Sequence, residues 1–158
     1  MIRVLFVCHG NICRSPISEF VLKDMVVKQG VADKFYIASA ATSTEEIWNG
    51  VGNPVYLPAK QELLKHGISC EGKRAVQITN ADYEKYDYIL GMEERNIRNT
   101  LRIVGGDPDH KVKRLLDYSE NPRNIADPWY TGDFESTYRD VKEGCEAFLK
   151  YLRKEDLL

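Results

Sequence analysis

The chain has 158 residues, 43% apolar and 29% charged, the balance of one globular domain rather than of a disordered, collagenous or coiled-coil chain. A chain this long buries roughly 70% of its unfolded surface and needs no disulfide or metal to hold a core. Its 22 basic residues against 24 acidic ones give a net charge of −2, without the basic excess of a nucleic-acid binder, so an anionic ligand has only a local basic site to use.

No stretch approaches the ~20 apolar residues of a membrane span. The opening run Ile2-Arg3-Val4-Leu5-Phe6-Val7 is too short for a signal-peptide core of roughly 7–15 residues, so the expected compartment is the cytosol, where thiols stay reduced. The four cysteines, Cys8, Cys13, Cys70 and Cys145, are too unevenly placed for a disulfide framework. No metal is expected, because there is no Cys-x2-Cys pair and His9, His66 and His110 lack ligand spacing.

In chain order, Arg3 to Val7 reads as a buried strand of a parallel sheet. Ser15-Pro16 reads as a helix start, Ser at the cap and Pro at the first position, with the helix running to about Gln29 on an apolar side of Phe20, Val21, Met25 and Val27. Phe35 to Ala40 is a second strand, and Thr44 to Gly50 a polar loop carrying Trp48. A helix near Ala59 to His66 ends at Gly67, and Tyr88 to Leu90 is a third strand followed by a helix from about Glu93 to Ile103. Lys113 to Leu116 is a fourth strand, and a last helix from Phe134 to Arg153 buries Val141, Cys145, Phe148, Leu149 and Leu152. This alternation predicts a single α/β domain over residues 1–158, a central four-stranded parallel sheet with helices on both faces.

Ligands of such sheets sit at the carboxyl ends of the strands. There the run Cys8-His9-Gly10-Asn11-Ile12-Cys13-Arg14-Ser15-Pro16 joins the first strand to the first helix. Its Cys-x5-Arg spacing is weak alone, but the strand before it, the helix after it and the turn-permissive Gly10 and Asn11 strengthen it. Such a loop aims backbone N–H groups inward as a nest, the helix adds its positive end, and Arg14 can grip two phosphate oxygens with its planar fork. Cys8 at their centre is expected as a thiolate; a fall in pKa from ~8.5 to ~5 corresponds to about 5 kcal/mol. A thiolate beneath a bound phosphate is placed for in-line attack on phosphorus. Near the other end, Asp127 precedes Pro128, an ordinary turn signal, and Trp129 and Tyr130, which offer an apolar wall for an aromatic ring. Asp117 and Asp133 are competing carboxylates, and His9 has no evident orienting partner.

The Cys8–Pro16 run resembles the signature of the low-molecular-weight protein tyrosine phosphatases, and Ala126-Asp127-Pro128-Trp129-Tyr130 resembles their acid motif. The resemblance covers essentially the whole chain. It implies hydrolysis of phosphotyrosine in protein substrates, without a cofactor, through a phosphocysteine on Cys8, with Arg14 binding phosphate and Asp127 as general acid. It further implies that Ser15 donates to Cys8, that Asn11 holds the loop, and that Ser39 and His66 buttress Asn11. Cys13 reads either as a small packed residue or, as the resemblance implies, as the partner of Cys8 in a reversible disulfide. Ile12, Trp48, Trp129 and Tyr130 are expected at the substrate rim, with phosphate and other oxyanions as inhibitors of a monomeric enzyme. His9 departs from the Leu or Thr common at its place.

Related arsenate reductases relay a disulfide through two cysteines after the third strand, where Gly91 to Arg95 has none. Arginine phosphatases of the superfamily carry Thr where Ile12 stands. A non-catalytic phosphotyrosine-binding module would need neither Cys8 nor Asp127.

Overall fold

A computed structural model describes all 158 residues. Strand β1 (Ile2–Cys8) is buried from Val4 onward, and its alternate side chains go to opposite faces. Val4, Phe6 and Cys8 enter the larger core, while Leu5 and Val7 enter a smaller one beneath the other face. An unbroken apolar run was needed because both faces are covered.

β1 pairs in parallel with β2 (Phe35–Ala41), from Ile2 opposite Phe35 to Cys8 opposite Ala41. On its other side lies β5 (Tyr88–Gly91), followed by β6 (Val112–Arg114), so the sheet order is β2-β1-β5-β6 with every pair parallel. The larger core packs α1 (Arg14–Lys28), α2 (Leu57–Lys65) and α6 (Phe134–Lys154) on one face. The other face carries α3 (Asp82–Lys85) and α4 (Glu94–Val104). The strand order reverses between β1 and β5, whose carboxyl ends, Cys8 and Gly91, therefore flank the crevice where such sheets bind ligands.

Several expectations shift. Helix α1 begins at Arg14 with Cys13 at its N-cap, not at Ser15. Pro16 falls in the first turn, where a missing N–H costs no helical bond. The buried side of α1 is Ile17, Val21, Leu22 and Val26, a wide face touched by the sheet, α2 and α6, whereas Val27 is exposed. The fourth strand stops at Arg114, and Leu115–Tyr118 turn as a 3-10 helix that plugs Leu115 and Leu116 into the core. The polar loop holds a hairpin of β3 (Ile47–Trp48) and β4 (Val51–Gly52), closed by Asn49 and Gly50 at φ 50° and 77°. Two such left-handed residues are what a tight hairpin turn demands, and the Asn-Gly pair is its sequence signal. Gly52 is pressed against the backbone of residue 75, where a Cβ would lie 1.8 Å from the Ala75 carbonyl oxygen. No helix is long and apolar enough to cross a membrane.

Candidate active site

The loop leaving β1 is built around Cys8, which is 3% exposed. The Asn11 backbone N–H donates to its Sγ at 3.3 Å, and Ser15 Oγ lies 3.0 Å from the same sulfur. Asn11 sits at φ 59°, a left-handed turn that Asn tolerates and most residues do not. Gly10 has an ordinary φ; a Cβ there would come within 3.2 Å of Glu46 Cγ, a tight contact that the Glu46 side chain would have to yield to.

The Asn11 side chain organises the buried layer behind the loop. Its Oδ1 accepts from the Val76 N–H at 3.1 Å, which turns Nδ2 toward Ser15 Oγ (2.8 Å) and Ser39 Oγ (2.9 Å). Ser15 Oγ therefore already accepts from Asn11, and its own proton is left for Cys8. By the same logic Ser39 donates to Glu19 Oε1 at 2.6 Å. Every polar atom of the buried Asn11 amide is satisfied, as burial requires.

Arg14, 3% exposed, is gripped from the far side: Nη1 donates to Glu93 Oε2 and to the Ile125 carbonyl, both at 2.8 Å. Nη2 lies 3.5 Å from Asp127 Oδ2. Asp127 is the N-cap of α5 (Pro128–Thr131); its Oδ1 accepts from the Trp129 N–H at 3.0 Å, leaving Oδ2 toward Arg14. The turn expected at Asp-Pro and the carboxylate expected in the site are thus two oxygens of one residue. Trp129 packs on Tyr56 with ring centroids 4.8 Å apart. One cavity is lined by Cys8 to Arg14 together with Glu45, Glu46, Asp127, Trp129 and Tyr130.

Two of the expected residues stand elsewhere. Trp48 does not line the cavity: Ile47 turns toward Ile12 and Ala75, so strand alternation sends Trp48 outward, 79% exposed. His66 does not touch Asn11. Its Nε2 donates to Glu62 at 3.0 Å and its ring stacks on Tyr138 at 3.6 Å, between α2 and α6. Ser39 is buttressed instead by Glu19 and by Lys73, whose Nζ donates to the Ser39 carbonyl at 2.8 Å. His9 does have a partner, since its Nε2 donates to Glu45 Oε2 at 2.9 Å. Asp117 bonds Arg114 and Asp133 caps α6, and neither reaches the cavity.

Cys13 also faces the cavity, but burial foremost, then the neighbouring Cys8 and Asp127, push its thiol up to about 12. It is neutral at physiological pH. No group of three or more His, Cys, Asp or Glu side chains is arranged to hold a metal ion.

A strand-to-helix loop at the switch point of a parallel sheet, with sulfur at its base and a carboxyl at its rim, is the arrangement of an α/β protein of the cysteine-phosphatase class. Comparison with known proteins narrows the class. The family described as "Low molecular weight phosphotyrosine protein phosphatase" matches residues 3–157, and the chain belongs to it. It is 39% identical to the low molecular weight protein-tyrosine-phosphatase YfkJ of Bacillus subtilis over 160 residues, covering 100% of each protein. It is 43% identical to the low molecular weight phosphotyrosine protein phosphatase of Rattus norvegicus, covering 93% of each. The crystal structure of YfkJ superposes with a TM-score of 0.89 over 98% of this chain and 96% of that one. The expected fold and family are borne out.

Proposed function

We propose that the protein hydrolyses phosphotyrosine in proteins, with Cys8 as nucleophile, Arg14 as phosphate ligand and Asp127 as general acid and base. The observation that carries this reading is the convergence of the Cys8 sulfur, the Arg14 guanidinium and Asp127 Oδ2 on one cavity walled by Ile12, Trp129 and Tyr130. Two donors meet the sulfur and stabilise negative charge on it. Arg14 Nη1 is occupied by Glu93 and Ile125, which fixes the fork and leaves Nε and Nη2 for phosphoryl oxygens.

The Cys8 thiolate attacks phosphorus, an S–P bond forms, and the P–O bond to tyrosine breaks as Asp127 Oδ2 passes its proton to the leaving oxygen. Asp127 then takes a proton from water, whose oxygen attacks phosphorus. Phosphate leaves and the thiolate is restored.

The same reading includes residues 1–158 acting as one phosphatase domain, a monomer in the cytosol, with free phosphate and other oxyanions competing for the loop. Cys13, beside Cys8 in the cavity, is the candidate partner for a reversible disulfide under oxidation. The test is phosphate release from phosphotyrosine, phosphoserine and phosphoarginine peptides side by side. Phosphotyrosine is expected to be fastest, and faster release from phosphoarginine would overturn the reading.

A further inference from the structure

The mouth of this cavity carries charge that the chemistry does not use. Glu45 and Glu46 both line it, and the Glu46 stem packs directly on Gly10 of the phosphate-binding loop. Glu46 Oε2 accepts from the neutral Asn53 amide at 2.7 Å, and Glu46 has no ion-pair partner. Glu45, its side chain 69% exposed, meets only His9. The segment is held down rather than free, because both the N–H and the hydroxyl of Ser43 donate to the His9 carbonyl, at 3.0 and 2.8 Å.

The basic residues nearby are otherwise engaged. Arg14 is paired with Glu93 at 2.8 Å and lies 3.5 Å from Asp127. In the groove that continues past Glu46, Ile12 and Trp129, Lys60 is paired with Glu71 at 2.6 Å, and Lys73 points back to Ser39 and Glu19. Outside the phosphate cradle, then, the entrance presents two carboxylates fixed at the edge of the loop.

Resting on the phosphotyrosine reading of the site, we propose that Glu45 and Glu46 select substrates with lysine or arginine beside the phosphotyrosine and reject those with acidic flanks. An exposed ion pair changes affinity by a small factor. Two carboxylates, attracting a basic flank and repelling an acidic one, give about a five- to twentyfold spread in kcat/KM at low salt.

The experiment compares three phosphotyrosine peptides with one core and flanks of Lys, Gln or Asp, at low and high salt, on the parent, Glu45→Gln, Glu46→Gln and the double variant. Each protein's ratio between peptides is its own internal reference, so a change in overall rate does not mask the result. The expected order is Lys, then Gln, then Asp, compressed by salt and reduced to within about twofold in the double variant. Equal rates for the three peptides in the parent, the reverse order, or a preference that survives the double substitution would each overturn the proposal. Release from the Gln peptide without any charge order leaves the phosphatase reading standing. No release from any phosphotyrosine peptide overturns both.

Discussion

In the proposed mechanism each oxygen of Asp127 has its own task, Oδ1 capping α5 and Oδ2 facing Arg14, and this makes the residue suited to a clean substitution. Asp127→Asn keeps an oxygen for the Trp129 N–H, so the cap of α5 survives while the transferable proton is lost. The phenol of tyrosine, with a pKa of about 10, leaves poorly as an anion. The variant is therefore expected to slow phosphotyrosine hydrolysis by ~10²–10⁴, but to slow an aryl phosphate with an acidic phenol far less. Kinetics on the two esters decide it, and equal losses would assign Asp127 to positioning. Cys8→Ser removes the proposed nucleophile and leaves Arg14, the loop backbone and the Asn11 network in place. It is expected to lose turnover by several orders of magnitude while still binding vanadate, as isothermal titration would read. Cys13, neutral at pH 7 with its thiol near 12, is expected to be alkylated by iodoacetamide far more slowly than Cys8, measurable by peptide mass spectrometry.

Among the elements, the segment between the 3-10 turn at Leu115–Tyr118 and α5 matters because it carries Ile125 and Asp127 into the site. Arg123 pins it to α6 through Asp140 at 2.8 Å and Glu143 at 2.9 Å, and Ser119 donates to the same Glu143. The hydrogen bonds from Arg123, then Ser119, hold the Glu143 carboxyl down at about 2. A carboxylate depressed in the folded state stabilises the protein above its unfolded value and stops doing so as pH falls through the folded one. Glu143→Gln is expected to cost less than about 1 kcal/mol at pH 7, because the cluster is solvent-screened. In urea titrations that gap should shrink as pH falls from 5 toward 2. Gly144, on the inner side of α6, has a different constraint: a Cβ there would meet Leu115 Cγ at 2.5 Å. Alanine gains about 1 kcal/mol of helix propensity, but overpacking a full core costs ~1–3 kcal/mol. Gly144→Ala is expected to lower the melting temperature, and a rise would show that Leu115 yields without cost.

For the molecule as a whole, positive charge for a phosphate comes from Arg14 and the loop, with no donor set grouped for a metal, so a chelator is expected to leave phosphate release unchanged; a loss restored by a divalent ion would contradict this. Much of the design could be read along the chain. Cys8, Asn11 and Arg14 are neighbours in sequence, their roles follow from one turn between a strand and a helix, and the apolar run of β1 announced a sheet covered on both faces. Asp127 with Pro128 was legible as a turn from its residues and as a general acid from the family resemblance; the 3.5 Å approach of its Oδ2 to Arg14 is what the fold adds. What could not be read are contacts across long separations. The Glu93 grip on Arg14, the Glu45 bond to His9, the Val76 N–H that orients Asn11, and the displacement of His66 to a stack on Tyr138 join segments distant in sequence. Local conformation depends on neighbouring side chains and turn geometry, which a sequence states directly. The partner of a buried polar group is set by which segments the sheet order β2-β1-β5-β6 brings together, and that is decided only when the whole chain has folded.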